Sequence, residues 1–457
     1  MKKSLITMWS AVMLCVLPAF AQVKLPPISE SKLDNGLEVV VIENHELPIV
    51  WMRMVVKSGS SFDPNGKAGL ANLTAGLLRK GTTGRKATEI ADQIDFVGGS
   101  LSGSAGRDYS NITCTVLLRH LDIGLDLFSD IILHPAFDSL EFERDRQRLA
   151  ASVMQQKDDP ASLCEKAFAR YLFGDHPYSQ PEEGTESSLA ALSFTDAKDF
   201  YNAYYRPNNA ILIFAGDIEP AAAFAAAKRY FGSWQSAEIA KPQLAPCKNP
   251  EGYSIILVDK PDASQANIRF GRLGLTRDNP DYYPFLLMNY IMGASFTSRL
   301  NQAVRVAKGL TYDIRTQNEW NVMPGALFCA TFTENDSTLI ALRAAIDVIE
   351  KMRNEEVSDI EFNEARNFYT GYYPMTLETP EAVASEIVKI KLYGLPVSYI
   401  KDFTANIRKV TKADIKRAAA EFWDTKNMII SIVTKASAVE SQLKSIGKVQ
   451  TIPYDQL

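Results

Sequence analysis

The chain has 457 residues, 46% hydrophobic and 23% charged, which is more than one ordinary core holds, so two or more domains are expected. A formal net charge of −5 excludes the strongly basic surface of a nucleic-acid binder and tight attraction to anionic membranes. Five cysteines without a C-x-x-C pair give no support to a thiolate zinc site.

Residues 1–21 read as a secretory signal. Lys2-Lys3 supply the charged start, residues 5–17 are mostly apolar, and Ala19-Phe20-Ala21 is an A-x-A cleavage site ahead of Gln22. The apolar run falls short of the ~20 residues a span needs, so no membrane span is expected in the mature chain. The expected product is exported to the periplasm. Export permits disulfides among Cys114, Cys164, Cys247 and Cys329, but spacing selects no pairing, and free thiols and a bridge both stay open.

Residues 37–42 (LEVVVI) and 49–57 (IVWMRMVVK) read as two strands. A loop and short helix follow over 59–82. Residues 88–97 form a helical pattern stopped by Gly98-Gly99, and 101–106 and 110–117 are strands. Helices are expected at 121–133, at 138–156 with an Asp138/Glu141 capping box, at 161–173 and at 195–205. The run 209–215 (NAILIFA) is a buried strand, and 219–230 an alanine-rich helix. Residues 235–251 are rich in Ala, Pro and Lys, lack a period and read as a linker. Beyond it the order restarts. Strands at 254–259 and 265–273, helices at 284–292 and 297–306, strands at 311–318 and 326–333, helices at 339–354, 360–370 and 382–393, and the strand 428–433 (MIISIV) repeat the element order of the first half. Without a regular β-α-β beat, an α+β layer fits better than a doubly wound sheet. The domains are thus expected at 22–234 and 252–457, joined by 235–251.

The stretch 59–82, GSSFDPNGKAGLANLTAGLLRKGT, organises the chain. Asp63-Pro64-Asn65-Gly66 is turn chemistry, and Asn65 or Gly66 is placed to cap the helix. Leu70, Leu73, Leu77 and Leu78 form the buried stripe, with Asn72, Ala75, Gly76 and Arg79 on the other side. The words around these residues resemble the active-site helix of the pitrilysin/insulinase family of zinc peptidases, including its mitochondrial-processing-peptidase-like members. That family carries an H-x-x-E-H motif in which two His one helical turn apart hold zinc and the Glu acts as general base on the bound water. Here the motif positions hold Asn72, Ala75 and Gly76. The family's third ligand, a Glu on a later helix, falls at Ser152 within FERDRQRLAASVMQQKDD. The likeness covers nearly all of the mature chain, and it implies two homologous α+β halves folded as a half-shell, with no zinc in this chain.

The resemblance extends to R-V-A-K-G-L-T-Y at 305–312, similar to a family word whose Arg and Tyr grip substrate opposite the zinc. It implies substrate binding by Arg305 and Tyr312. An Arg fork can hold a carbonyl or carboxylate, and a Tyr hydroxyl adds a donor. Gly98-Gly99-Ser100-Leu101-Ser102-Gly103-Ser104 resembles the family's G-G-x-L-x-A strand, implying peptide addition along Leu101, Ser102 and Gly103. No G-x-S-x-G, P-loop or dinucleotide fingerprint is present. The four histidines, His45, His120, His134 and His176, have no partner at metal-ligand spacing. Together these features imply a non-catalytic, substrate-binding subunit that pairs with a homologous, zinc-bearing catalytic subunit to degrade or process peptides. The alternative is a stand-alone periplasmic peptide-binding or chaperone-like protein.

Overall fold

A computed structural model describes residues 25–457. The signal-peptide reading at 1–21 lies outside the described residues. The first half contains β1 (Ile28–Lys32), β2 (Glu38–Glu43), β3 (Ile49–Val56), α1 (Leu70–Leu77), α2 (Ala87–Phe96), β4 (Ser100–Ala105), β5 (Ser110–Leu117), α3 (Leu121–Leu133), α4 (Ser139–Gln155), α5 (Pro160–Phe173), α6 (Glu186–Ala191), α7 (Phe194–Tyr204), β6 (Ala210–Gly216) and α8 (Pro220–Phe231). After a stretch without helix or strand, the second half contains β7 (Tyr253–Asp259), β8 (Gln265–Leu273), α9 (Tyr282–Asn289), β9 (Ile314–Trp320), β10 (Pro324–Glu334), α10 (Thr338–Asn354), α11 (Asp359–Met375), α12 (Pro380–Tyr393), α13 (Tyr399–Lys409), α14 (Lys412–Phe422), β11 (Met428–Thr434), α15 (Ala436–Leu443) and β12 (Val449–Pro453).

Each half builds one mixed sheet. The orders are β1-β2-β6-β3-β5-β4 and β12-β7-β11-β8-β10-β9, so five strands repeat the same path. Each sheet has a central parallel pair, β2 with β6 and β7 with β11, and the rest of the shared ladder is antiparallel. The outer strands differ. β1 runs antiparallel to β2, whereas β12 runs parallel to β7. The expected α+β layers with repeated element order are therefore present.

Period-two alternation explains how the halves join. Val39, Val41, Met52, Met54, Leu212 and Phe214 face helices of their own half. Their neighbours Val40, Ile42, Val55, Ile211 and Ile213 point the other way, into a core shared with second-half helices. Correspondingly, Ile256, Val258, Phe328, Ile429 and Val433 of the second sheet pack on Leu163, Ala167 and Phe168 of α5. Helices are thus exchanged across the join. Charge locks both crossings: Glu165 of α5 pairs with Arg269 of β8 at 2.8 Å, and Lys391 of α12 pairs with Glu30 and Glu38 at 2.8 and 3.2 Å. At the β4–β5 and β9–β10 turns, Asp108 accepts from the Tyr178 hydroxyl (2.5 Å) and the Val322 N–H (2.8 Å).

Several local expectations change. Asp138 caps α4 by accepting from Leu140 and Glu141 N–H, but Glu141 pairs with Arg144 instead of closing a capping box. The strand expected from Thr311 begins at Ile314, because the Thr311 hydroxyl bonds the Asp313 main chain and holds a bend there. All four described cysteines are free thiols.

Phe168 is 1% exposed and stacks edge-on to Phe328 across the two halves, 6.3 Å between centroids. Phe168→Ala is expected to cost about 3–5 kcal/mol of unfolding free energy in a denaturant titration. A loss below about 1 kcal/mol would mean that this contact does not hold the halves together.

Candidate functional site

The β3–α1 loop sets the position of α1. Gly69 takes φ +92°, a left-handed conformation that leaves the first N–H groups of the helix pointing back at the loop. The Asp63 carboxylate meets them, accepting from Gly69 N–H at 2.9 Å and Ala71 N–H at 2.8 Å. The N-cap residue is therefore Gly69, and the side chain that meets the helix start is Asp63, not Asn65 or Gly66. A carboxylate is the better acceptor at the positive end of a helix, and Gly66 is spent on the turn at φ +78°. Burial pushes the Asp63 carboxyl up to about 7, against the pull of those N–H groups.

The second face of α1 is narrower than the sequence implied. Asn72 and Gly76 are half-buried and Arg79 is exposed, but Ala75 is fully enclosed. The reason is the close approach of β4. A Cβ on Gly103 would stand 2.2 Å from the Ala75 carbonyl oxygen, so only glycine lets the strand lie on the helix there. Beside Gly76 lies buried Asp145 of α4, whose Oδ2 would be 3.9 Å from a Cβ at that position. Its carboxylate is taken by Lys80 Nζ and Arg148 Nε, each at 3.3 Å. Ser152, also on α4, is exposed.

A zinc ion does not fit this donor set. Protein zinc is held by thiolate, imidazole and carboxylate, whereas the four positions offer one amide, one hydroxyl, a methyl and a hydrogen. The nearby carboxylate already carries two cationic partners. Among the described residues, no group of three or more His, Cys, Asp and Glu side chains is placed to hold a metal. The histidines serve elsewhere: His45 bridges Glu43 (2.9 Å) and Asp217 (2.6 Å), His134 sits by Asp130, and His120 bonds Arg119.

The residues assigned to peptide binding fall on the edge strands of the two sheets or beside them. β4 is an outer strand, with the Leu101 side chain buried and Ser102 exposed and bonded to Thr113 Oγ1 at 2.7 Å. Arg79 Nη1 donates to the Leu101 carbonyl at 3.3 Å, occupying one main-chain acceptor. β9 is the matching outer strand of the second sheet. Tyr312, 82% exposed, lies just ahead of it, and Arg305 belongs to the wide helical turns Asn301–Val306. The Arg305 guanidinium lies 4.5 Å from the ring centroid of Phe296, an exposed aromatic absent from the sequence reading. Phe296 lies in the bend that follows the wide helical turns Tyr290–Ala294, and Gly293 near their end was its only signal.

Two family profiles cover most of this framework. Residues 38–186 match the insulinase profile of peptidase family M16, and residues 191–369 match the profile described as the peptidase M16 inactive domain. The chain belongs to peptidase family M16. An uncharacterised zinc protease of Rickettsia felis is 26% identical over 413 residues, spanning 90% of this chain and 96% of its own. One from Mycobacterium tuberculosis is 27% identical over 398 residues, 85% and 89% of the two chains. Among solved structures, a peptidase M16 inactive domain from Pseudomonas fluorescens superposes with a TM-score of 0.83 at 24% identity, covering 89% of this chain and 98% of that one. A protease from Helicobacter pylori gives 0.83 at 21% identity, covering 90% and 100%. These two share the M16 fold with this chain. Within that fold, this M16 homologue lacks the family's zinc-ligand set.

Two outcomes are expected. After dialysis against excess zinc and then buffer, metal analysis finds only substoichiometric zinc on the chain. The second concerns Asp63, whose carboxyl sits at 3.8 when unperturbed and about 7 in the fold. Between those values the folded chain keeps a proton that the unfolded chain releases. Its contribution to stability is therefore full at acid pH and lost as pH rises to about 7. The melting temperature of Asp63→Asn relative to wild type should rise across that window and level off above it.

Proposed function

We propose that this chain is the non-catalytic, substrate-binding subunit of an exported two-subunit zinc metallopeptidase that degrades or processes peptides. A homologous partner supplies the H-x-x-E-H helix, the zinc and the general base. This chain supplies the opposing wall, with Arg305 and Tyr312 as the clamp and the β4 edge at Leu101, Ser102 and Gly103 as a main-chain template. Polarising a water and orienting a peptide are separable tasks, so they need not share a polypeptide. The reading places the assembly in the periplasm and takes 22–234 and 252–457 as its two domain-sized units.

The observation that carries the proposal is the state of Arg305. Among the described residues its guanidinium meets no carboxylate and rests only on Phe296, and the Tyr312 side chain, seven residues on, is also free in solvent. A planar five-donor fork left without a carboxylate partner, with an exposed phenol on the same short segment of chain, suits capture of a peptide carbonyl or carboxylate. The β4 edge offers main-chain groups for strand addition once Arg79 releases the Leu101 carbonyl.

Reconstitution tests it. The chain is co-purified from its native cells with whatever associates, and the partner is then mixed with recombinant variants. Arg305→Ala and Tyr312→Phe should each lower peptidase activity of the mixture about tenfold, with melting temperatures unchanged. Full activity from both variants would remove the assigned role.

A further inference from the structure

The bend that carries Phe296 is built onto the second sheet. Gly293 lies against β9, where a Cβ would stand 2.6 Å from Thr316 Oγ1 and 2.7 Å from the Thr316 nitrogen. Asn301, 7% exposed, then ties the bend down. Its Nδ2 donates to the Ser295 carbonyl at 3.2 Å and to the Ile314 carbonyl at 3.1 Å, and lies 3.1 Å from the Ser298 hydroxyl. The backbone before and after Phe296 is therefore fixed to the start of β9. The wide turns that carry Arg305 begin at that same asparagine. On this anchored bend the Phe296 side chain is 71% exposed, so burial in the core does not account for it. What its ring meets is the Arg305 guanidinium, 4.5 Å from the centroid.

The arginines on either side in the chain are held differently. Arg299 gives two hydrogen bonds to the Glu361 carboxylate, at 2.6 and 2.9 Å, and Arg315 pairs with Asp313. Of these three, Arg305 alone has no acid among the described residues, and the Phe296 ring is its one contact there. A carboxylate in that place would satisfy the fork and compete with an incoming carbonyl or carboxylate. A ring attracts the cation through its quadrupole without supplying a strong acceptor. The guanidinium is thus held while its donors stay open. An arginine held by nothing would lose its side-chain freedom at each binding event, at a cost in affinity.

We propose that Phe296 is a positioning residue acting through Arg305: its ring prearranges the guanidinium to receive a peptide carbonyl or carboxylate. The inference rests on the proposed function in taking a peptide as the ligand of Arg305. The hold of the ring on the guanidinium is independent of that reading.

Two measurements test the two parts separately. Side-chain nitrogen relaxation of the arginine-labelled full chain reads the motion of the Arg305 Nε–H, assigned by signal loss in Arg305→Lys. Arg299, clamped by Glu361, is the rigid reference. Arg343, exposed, is the mobile one. Arg305 should be more ordered than Arg343 in the wild type and in Phe296→Tyr, and should match Arg343 in Phe296→Leu, with Arg299 unmoved throughout. In the reconstituted peptidase, Phe296→Leu should raise KM about threefold at constant kcat, and Phe296→Tyr should hold KM at the wild-type value. The inference is overturned if Arg305 is as mobile as Arg343 in the wild type, or if Phe296→Leu leaves its order unchanged. It is overturned equally if Phe296→Leu leaves KM unmoved while Arg305→Ala raises it. If Arg305→Ala leaves KM unmoved as well, the proposed function fails, and the relaxation measurement still decides whether Phe296 holds Arg305. An exposed ring contributes little to the core, so both Phe296 variants should keep the wild-type melting temperature.

Discussion

The governing constraint is that the central strands of both sheets are buried on both faces. β6 and β11 have no residue open to solvent, and each runs through the middle of its sheet. One half's helices can cover only one face, so each half alone would leave a broad hydrocarbon surface in water. The exchange of α5 and α12 resolves this, and the largest core cluster consequently runs from second-half helices onto first-half strands. Because α5 directly follows α4, the same crossing that closes the core also fixes where Asp145 and Ser152 sit relative to α1.

α1, whose sequence resembles the M16 active-site helix, is surrounded by packing and ion pairs of its own. Gly103 brings β4 onto the helix, Ala75 closes the gap, and Lys80 with Arg148 neutralises Asp145. Arg79 turns outward and ties the end of the helix to the β4 edge. Of the residues at the positions that resemble the family's motif, Ala75 is enclosed under β4 and Ser152 faces solvent. Removing both cations would leave Asp145 as an unpaired buried charge, which costs more than the cluster contributes.

The elements that were legible in the sequence are those whose pattern is local. The runs LEVVVI, NAILIFA and MIISIV announce strands by composition, and the helices from Leu121 to Leu133 and Phe194 to Tyr204 announce themselves by spacing. β1 (ISESK) and β12 (VQTIP) carry no apolar alternation, because edge strands bury little. α13 shows its apolar face in the sequence at Tyr399, Ile400, Phe403 and Ile407. For α5 the apolar face was evident in the sequence, but not whose sheet it covers, since periodicity reports burial without naming the partner. The Asp63 cap depended on a left-handed Gly69, and the enclosure of Ala75 on the approach of a distant strand; neither leaves a mark in the neighbouring residues. That Asn72, Ala75, Gly76 and Ser152 carry no zinc-binding side chain follows from their identity alone. The exposed Phe296 under Arg305 and the orphaned His176 donor required three dimensions.

Charge makes the loss of metal chemistry harder to reverse than the four substitutions suggest. Lys80 and Arg148 meet Asp145 next to Gly76, and Arg79 stands one helical turn from Gly76. A dication arriving there would face their repulsion in a partly enclosed setting, where screening is weaker than in bulk water. Returning imidazoles to the positions of Asn72 and Gly76 would supply donors without removing those charges. An added carboxylate at Ser152 would then be drawn toward the cations already present as well as toward a metal. At Ala75 the Gly103 approach leaves no open space for a general base. The packing that now stabilises the helix is thus opposed to the chemistry the scaffold supports elsewhere in the family. Among the described residues, polar groups without a partner remain instead at Arg305 and at His176 Nε2.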